Sequence, residues 1–403
     1  MARSLVCHDR CVQHLGVAER RARLARRHRL ADETRADDDA VAIARSVVVL
    51  HATDPATVVL SALARMQRPD PMVVTRALFE DRTLVRMLAM RRTLFTVPAD
   101  DAPLVHAAAS RAVAAAERKR FLAMLEGAEV SGDPARWLRA REQEVLRLLG
   151  EHGELTAAEL SALSSVLGRQ IVIGAGTSHP GKLGVGSRVL LLLAAQGKVV
   201  RSRTIGAWTS TRHRWDLLER WLGGPLTEVP VAEARAALAE RWLARFGPAT
   251  MADLRWWTGW TMTDTRAAVA SLATEPVDLD GTTGLVLLGD TEPTPEPEPW
   301  VALLPSLDPT SMGWQGRDWY LGDHKAHVFD RTGNAGATVW ADGRVVGGWA
   351  QRASGEVVWR LLEPLGREQT QAVADAAGRL EEVLGEARVV PRFPAPLDRE
   401  LRS

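Results

Sequence analysis

The stretch "SRVLLLLAAQGKVVRSRTIGAWTSTRHRW" (residues 187–215) decides the fold. Its first part is almost entirely apolar and ends at Gly197, which predicts a buried helix. From Lys198 onward, apolar and polar residues alternate, and this pattern predicts a β-hairpin. A helix that runs directly into a hairpin is the second half of a winged helix-turn-helix unit.

The residues upstream complete this unit. Residues 135–153 have the apolar spacing of a helix, and residues 155–165 begin a second helix. In the second helix, Thr156 and Glu159 have the spacing of a capping box. A glycine-rich loop over residues 174–186 leads to the third helix. Three helices followed by a hairpin are typical of a winged helix.

The same order recurs downstream. Helices are predicted over residues 231–247, 249–259 and 261–273, and a strand, turn and strand over residues 276–289. Thr250 and Thr263 are the expected N-caps of the second and third of these helices. This region is a second winged helix by pattern.

A looser copy occupies the first third of the chain. Helices are predicted over residues 38–52, 55–66 and 70–88, and residues 91–98 form a strand that Pro98 closes. The three copies are similar in the order of their elements rather than in residue identity.

The composition changes after the acidic, proline-rich segment "GDTEPTPEPEP" (residues 289–299). Residues 300–364 are rich in strands, with Asp342 and Gly343 as a hairpin turn, and a helix follows over residues 367–385. We therefore predict an α+β chain, in which three tandem winged helix-turn-helix units precede a small β-barrel or antiparallel sheet with a closing helix. The predicted boundaries are 1–130 (first unit), 131–228 (second unit), 229–290 (third unit) and 299–403 (C-terminal region).

Bulk properties narrow the class of protein. Of the 403 residues, 46% are hydrophobic, yet no apolar run approaches the ~18 residues of a membrane span. The N-terminus is too polar for the apolar core of a signal peptide. These features predict a soluble cytoplasmic protein that binds no membrane.

The cysteines do not indicate a disulfide framework, since there are only two, Cys7 and Cys11. Together with His8 and His14 they suggest zinc spacing. Structural zinc sites usually have two separated pairs of ligands or a group around a turn, whereas this segment has a helical pattern. We therefore expect no metal and no cofactor.

The net charge of +1 conceals an uneven distribution, with a strongly basic stretch at residues 20–29 and the acidic segment near residue 290. Winged helices contact DNA with the third helix or the hairpin. Arginines fall at these places, although any single one could be a solvated surface residue. They are Arg86, Arg91 and Arg92 at the end of the first unit's third helix, and Arg201, Arg203, Arg212 and Arg214 on the second unit's hairpin.

Two long stretches carry a family resemblance. "LLPSLDPTSMGWQGRDWYL" with "FDRTGNAGATVWADGRVVGGWAQR" (residues 303–321 and 329–352) resembles the C-terminal signature of the AlkZ-type (YcaQ-like) winged-helix DNA glycosylases. "LVRMLAMRRTLFTVPADD" (residues 84–101) is similar to the end of that family's first winged helix. The resemblance implies a monofunctional enzyme that hydrolyses the N-glycosidic bond of alkylated purines in double-stranded DNA as a monomer, at the nucleoid. Some members of the family protect producers of DNA-alkylating antibiotics.

The resemblance also locates a catalytic motif. The family has Gln-x-Gln or Gln-x-Asp after an apolar helix, commonly followed by Asp-Pro. In "VVVLHATDP", His51 and Thr53 occupy the two motif positions, and Asp54 and Pro55 match the flanking pair. Both motif residues differ from those of the family, so the substrate range is expected to differ as well.

The chemistry of these residues suggests their roles. An N7-alkylated purine is already a good leaving group, so the enzyme must mainly place a water near the anomeric carbon. Neutral His51 would accept a hydrogen bond from this water, and the Thr53 hydroxyl would orient it. Asp54 has two possible roles: it lies near the developing positive charge, or it caps the next helix before Pro55.

Several alternatives stay open. A lyase needs an amine that attacks the sugar, and none of the four lysines is near His51 in the sequence, so we expect no lyase activity. The altered motif predicts narrow specificity for a bulky N7-guanine adduct of a genotoxic natural product. The rival hypothesis is a non-catalytic DNA-binding regulator that has lost the motif. In the C-terminal signature, Arg317, Arg331 and Asn334 are further candidates for contact with the DNA backbone, or else form corners of the sheet.

Overall fold

The computed structural model describes residues 12–35, 39–173 and 181–403. Within these ranges, helices are combined with small sheets, none of which closes into a barrel. The chain passes three times through a group of helices followed by an antiparallel hairpin, and then enters a four-stranded sheet. Helices followed by a hairpin are therefore present in all three units, as the sequence predicts for the second and third; for the first unit it predicts three helices and a single strand.

In the first unit, strand β2 (Leu50–His51) comes between helices α2 (Ala40–Ser46) and α3 (Pro55–Leu63), and the hairpin of β3 (Leu84–Leu88) and β4 (Leu94–Pro98) follows helix α4 (Pro71–Phe79). The three strands form a sheet in the order β2-β4-β3. A π-helical turn, His106–Ser110, joins α5 to α6. The elements are β1 (Gln13–His14), α1 (Val17–Arg27), α2 (Ala40–Ser46), β2 (Leu50–His51), α3 (Pro55–Leu63), α4 (Pro71–Phe79), β3 (Leu84–Leu88), β4 (Leu94–Pro98), α5 (Ala102–Val105) and α6 (Arg111–Gly127).

The long helix predicted over residues 70–88 is wrong. The helix ends at Phe79, and the chain turns through Arg82, which has a φ of 56°. It then continues as β3, which pairs along its length with β4. Four of the five residues of "LVRML" are buried, as in a strand covered on both faces, and the partner strand that begins six residues later allows a hairpin.

The helix predicted over residues 38–52 is also too long. It ends at Ser46, and Val48 has a φ of 66°, an uncommon conformation for a β-branched residue. The chain then forms β2 against β4. Val47, Val48 and Val49 are β-branched and therefore weak helix formers, so the helix ends before them and the chain enters the edge strand at Leu50.

The second unit has the predicted three helices and hairpin. Its capping box is confirmed, with Thr156 Oγ1 accepting from Glu159 N at 3.1 Å. Residues 174–180 of the predicted glycine-rich loop lie outside the described residues, and the rest of it begins a strand. The elements are α7 (Pro134–His152), α8 (Ala157–Leu163), β5 (Gln170–Ile173), β6 (Gly181–Gly184), α9 (Val185–Ala195), β7 (Val199–Thr204), β8 (His213–Leu217) and α10 (Leu218–Leu222).

The third unit repeats the pattern, and its strand β9 also pairs in parallel with β1. Thr250 is the N-cap of its second helix, as predicted, but the third helix is capped by Thr261 rather than Thr263. Thr261 Oγ1 accepts from Asp264 N at 3.1 Å, which a residue inside the helix cannot do. The elements are α11 (Val231–Phe246), α12 (Met251–Thr258), α13 (Met262–Ala270), β9 (Thr274–Leu279) and β10 (Thr282–Leu287).

The C-terminal region is an antiparallel sheet in the order β11-β12-β13-β14. Of the two predicted alternatives, the sheet is therefore observed. Asp342 and Gly343 both have positive φ, as a two-residue hairpin turn requires. The elements are β11 (Val301–Leu304), α14 (Asp318–Leu321), α15 (Lys325–Val328), β12 (Thr338–Ala341), β13 (Arg344–Gln351), β14 (Val357–Leu361), α16 (Arg367–Leu384) and α17 (Pro396–Arg402).

The first unit, the third unit and the C-terminal sheet share one hydrophobic core, and most of the second unit has its own. A single cluster of buried side chains includes Leu50 of the first unit, Trp242 of the third and Trp340 of the C-terminal sheet. Most of the second unit packs around a separate cluster that includes Val189 and Trp215. The first and third units are thus held against the C-terminal sheet, and this packing positions the site described next.

Candidate active site at the end of strand β2

A short strand fixes the predicted motif. His51 is the last residue of β2 and pairs with Phe95 of β4, and the next residue, Ala52, donates to the Leu94 carbonyl at 2.8 Å. The tight turn at Val48 precedes this strand. Backbone hydrogen bonds on one side and a strained turn on the other hold the motif at the edge of the sheet.

His51 itself is buried, with 6% of its surface exposed, and its ring contacts the edge of Phe95 at 5.3 Å between centroids. Its Nδ1 atom is buried and has no hydrogen-bond partner in the described part of the chain. Burial, reinforced by the positive charge of Arg91 and opposed by Asp308, lowers the pKa of His51 to about 3. The imidazole is therefore neutral at physiological pH and offers an unused ring nitrogen.

Thr53 and Asp54 follow directly, and they differ in how they are engaged. Thr53 is half-buried. Asp54 is the N-cap of α3: one carboxylate oxygen accepts from Ala56 N at 3.0 Å and the other from Arg392 N at 3.0 Å, and Pro55 follows at the first helical position. Burial raises the pKa of Asp54 above its usual value despite these bonds. Of its two predicted roles, the geometry matches capping.

The C-terminal signature lies directly beneath α3. Thr57 donates from its hydroxyl to the Ser306 carbonyl at 2.7 Å. Just beyond the end of α3, Arg65 forms a bidentate ion pair with Asp308, at 2.9 and 2.8 Å. It also donates to the Thr310 hydroxyl at 2.8 Å. The sequence reasoning missed this group.

The buried network extends to the N-terminal helix. The Thr310 hydroxyl also hydrogen bonds to Nδ1 of His28 at 2.9 Å, and His28 Nε2 faces the Arg245 carbonyl at 3.2 Å. His28 has no exposed surface, and burial lowers its pKa well below the usual value. The "LDPT" segment of the signature thus links the first unit, the third unit and the sheet.

The arginines predicted at the end of a helix occupy different places. Arg86 is in the middle of strand β3 and donates to the backbone carbonyls of Arg201 and Ser202, so it ties the first unit to β7. Burial lowers the pKa of Arg86 to about 9. Arg91 and Arg92 form the turn between β3 and β4, both with positive φ. The placement of these three residues on a helix is therefore wrong, because the helix ends at Phe79 and the chain continues as a hairpin.

Several predicted arginines are paired with carboxylates. Arg92 contacts Glu117 at 2.6 Å, and Arg203 contacts Glu154 at 3.5 Å. Arg214 contacts Glu159 at 3.1 Å. On the same hairpin, the Arg201 guanidinium lies over Trp215 at 5.5 Å and is largely buried. Only some of the arginines that the sequence predicts to bind DNA therefore lack a carboxylate partner in the described part of the chain.

Other predicted residues are exposed or shape the backbone. Arg212 and Arg331 are exposed. Asn334 donates to Asp330 and to Thr332, each at 2.9 Å, and so fixes the turn between α15 and β12. Asn334 therefore shapes a corner of the sheet region, while the two arginines are available at the surface.

Two further cations meet at one tryptophan. The Arg91 guanidinium lies 4.1 Å from the ring centroid of Trp256, and that of Arg317 lies 4.7 Å from the same ring. Arg317 is 9% exposed and donates to the Trp314 carbonyl at 2.9 Å. The sequence did not point to Trp256, because one tryptophan among 14 carries no distinguishing signal.

The cavities near and far from the motif differ in size. One of about 20 Å³ lies behind the motif and is lined by Asp54, Thr57 and Ser306. It is about the size of a single water molecule. A larger cavity of about 530 Å³ lies between α5, α7, the turn after α9 and residues 225–229, with His106 in its wall. The cavity behind Asp54 is too small for a purine base.

Across residues 12–35, 39–173 and 181–403, no group of three or more His, Cys, Asp or Glu is arranged to hold a metal ion. Cys7, His8 and Cys11 lie outside the described residues, and His14 contacts Asp280 at 2.9 Å. No helix in the described part of the chain has the length and apolarity needed to cross a bilayer.

Comparisons with known proteins identify a family and a fold. Residues 44–383 match the sequence profile of a family described as DNA glycosylase AlkZ-like. Among solved structures, the chain is similar to the Streptomyces sahachiroi DNA glycosylase AlkZ, with a TM-score of 0.70 and 21% identity. The match covers 95% of this chain and 99% of that one, and it shows a shared fold. The comparison with curated protein sequences gave no match.

Proposed function

The chain belongs to the AlkZ-like DNA glycosylase family, and on this premise we propose that it hydrolyses the N-glycosidic bond of alkylated purines in duplex DNA. The observation that supports this most is the neutral imidazole of His51, whose Nδ1 is buried and unpartnered at the end of β2. A buried polar atom without a hydrogen-bond partner destabilises the fold unless a ligand or a water supplies that partner.

The mechanism follows from the chemistry of the leaving group. An N7-alkylated purine is cationic, so the bond between C1′ and N9 breaks with both electrons passing to the base, and an oxocarbenium-like sugar develops. The oxygen of a water then bonds to C1′. Nδ1 of His51 accepts a hydrogen bond from this water, and the hydroxyl of Thr53 orients it.

The low pKa of His51 defines its part in this step. A group with a pKa of about 3 is a weak base, so it orients the water rather than retaining its proton. The proton is released to solvent after attack on the strongly electrophilic sugar. Asp54 has a structural role, because both of its carboxylate oxygens already accept backbone hydrogen bonds.

DNA binding is assigned to the three helix-and-hairpin units, which we interpret as winged helices. Arg212 on the second hairpin region and Arg331 near the C-terminal sheet are exposed cations of the type that contacts phosphates. Arg92, Arg203 and Arg214 would have to exchange a carboxylate for a phosphate. Arg86, Arg201 and Asn334 are assigned to holding the fold.

The substrate class is narrower than the family's. We propose a bulky N7-guanine adduct of a genotoxic natural product, in a self-resistance role. The altered motif supports this, as does the cavity of about 20 Å³ behind the motif, which leaves no room to enclose a flipped base there. The protein would act as a monomer on chromosomal DNA in the cytoplasm.

We further propose that the enzyme is monofunctional. A lyase needs an amine that forms a Schiff base with the sugar. None of the four lysines is on β2, α3 or β4, the elements that carry or flank His51. The other candidate function, a non-catalytic DNA-binding regulator, rests on the loss of both motif glutamines.

Base release decides between these functions. Duplexes with a single N7-methylguanine, a single bulky N7-guanine adduct or no lesion are incubated with the protein, and the free base is quantified by mass spectrometry. We expect release of the bulky adduct to be the fastest, with strand breaks appearing only after alkali. Faster release of the methylated base contradicts the specificity, and release of neither base supports the regulator.

A further inference from the structure

The strongest unexplained feature is the pair of cations around Trp256. The terminal nitrogens of Arg91 and Arg317 form no ion pair with a carboxylate in the described part of the chain, although both side chains are mostly buried. Nε of Arg91 is buried without a partner and Nε of Arg317 donates to the Trp314 carbonyl, so the terminal nitrogens are what each group can offer to a ligand. Two uncompensated charges at one place destabilise a fold unless an anion joins them.

The surrounding elements hold the two guanidinium groups in place. Trp256 lies in the last turn of α12, and the Gly259 that ends this helix packs against the backbone of Arg91. Carbonyl groups at the end of a helix favour a cation at this position. Arg317 is fixed by its bond to the Trp314 carbonyl and by the ring of Phe329 at 4.7 Å. These contacts hold each guanidinium group in a defined orientation.

The pair also lies near the proposed reaction centre. The charge of Arg91 acts on His51 and lowers its pKa, and Arg91 precedes β4, whose Phe95 contacts the His51 ring. Two bare cations would disfavour an oxocarbenium-like sugar nearby. A phosphate between them removes this penalty and supplies negative charge close to the sugar.

We propose that Arg91 and Arg317, with Trp256 as their common platform, form a binding subsite for the DNA phosphodiester next to the damaged nucleotide. This inference rests on the proposed function, because it assigns a specific phosphate to the same site. Guanidinium groups suit this ligand, since each can donate two parallel hydrogen bonds to a phosphate. The subsite positions the sugar and does not itself react.

A coupling experiment tests the subsite independently of catalysis. The probe is a duplex with a tetrahydrofuran abasic analogue, in which one phosphate at a time is made neutral as a methylphosphonate. The proteins are the wild type, Arg91→Gln, Arg317→Gln and, as the surface control, Arg147→Gln at an exposed arginine of α7. For wild type, neutralising one phosphate flanking the analogue should weaken binding about tenfold, while a distant phosphate should have little effect.

The subsite requires that the effects be non-additive. In Arg91→Gln or Arg317→Gln, binding should already be about tenfold weaker, and the flanking methylphosphonate should add little. In Arg147→Gln, the methylphosphonate should keep its full effect. Full, multiplicative effects in the Arg91 and Arg317 variants would overturn the proposal, whether or not the enzyme releases alkylated bases.

A second measurement covers the case in which the glutamine variants unfold. Arg91→Lys and Arg317→Lys keep the charge but lose the flat, two-pronged donor, so binding of the all-phosphate duplex should fall severalfold. Their methylphosphonate effect should also shrink relative to wild type. Wild-type binding that responds equally to flanking and distant methylphosphonates would contradict the subsite without any variant.

Discussion

Arg65 and Asp308, 243 residues apart in the chain, form a bidentate ion pair in which neither side chain has exposed surface. Arg65 follows α3, the helix that Asp54 caps, and Asp308 belongs to the C-terminal signature. The pair therefore fixes the helix that follows the candidate motif to the sheet region. Asp308 also acts on His51 through its charge.

Breaking this pair should destabilise the protein strongly. Asp308→Asn leaves the buried Arg65 guanidinium without a counter-charge, and we expect a loss of about 3–5 kcal/mol in the free energy of unfolding. Urea denaturation followed by circular dichroism measures this loss. The exposed Arg147–Glu151 pair is the control, because Glu151→Gln should change stability by less than about 1 kcal/mol. Equal losses at the two sites would contradict the role given to the buried pair.

Gly259 should tolerate no side chain. It has a φ of 73° at the end of α12, and an added Cβ would lie 3.1 Å from the Arg91 side chain. We expect Gly259→Ala to reduce stability by about 1 kcal/mol or more and to weaken DNA binding by displacing Arg91. Gly378, inside α16 with open space around it, is the matched control.

In the control, Gly378→Ala should be neutral or stabilising by about 0.5–1 kcal/mol, because alanine favours a helix. Thermal unfolding of both variants gives the comparison. An alanine at position 259 that is as well tolerated as one at position 378 would refute the close approach of α12 and the β3–β4 turn.

Asp398 should make stability depend on pH. Burial, opposed by hydrogen bonds from Ala395 and Ala337, raises the pKa of Asp398 to about 6 from 3.8. The folded state therefore binds a proton that the unfolded state releases, so the contribution of Asp398 is present below about pH 4. It is lost as the pH rises to about 6. Relative to wild type, Asp398→Asn should gain about 3 kcal/mol between pH 4 and pH 7.

This difference is measured by urea denaturation of both proteins at several pH values. Taking the difference removes groups that titrate in both proteins. A constant difference across this range would show that Asp398 does not titrate there.

The rate of excision should show no histidine titration near neutrality. Because the pKa of His51 is lowered to about 3, the imidazole stays neutral from pH 5 to pH 8. Single-turnover base release, corrected for spontaneous depurination, should therefore be flat over this range. A step with an apparent pKa between 6 and 7 that disappears in His51→Gln would contradict a buried, neutral imidazole.

The sequence predicts local structure better than distant contacts. Alternation and capping residues locate the hairpin after α9 and the helix that begins after Thr156, because these signals lie within a few residues. The sequence predicts helices where β2 and β3 are observed, because their apolar residues follow helical segments. Both strands form by pairing with β4, which comes later in the chain.

The candidate site shows the same limit. The family pattern locates His51 and Asp54 from a few adjacent residues. It cannot show that Arg65 meets Asp308 or that Arg91 and Arg317 share Trp256, because these contacts join distant segments. These residues have no distinguishing sequence pattern. The fold alone determines that they are buried and brought into contact.

We propose that His51 orients the water that attacks the sugar, and single-turnover excision by His51→Ala tests this role most directly. With a duplex that the wild type cleaves, we expect at least about a hundredfold slower base release. Affinity for an abasic-analogue duplex should stay within about threefold of wild type. His324→Ala, which removes a part-buried histidine paired with Glu363, should excise normally. Wild-type excision by His51→Ala would contradict the account.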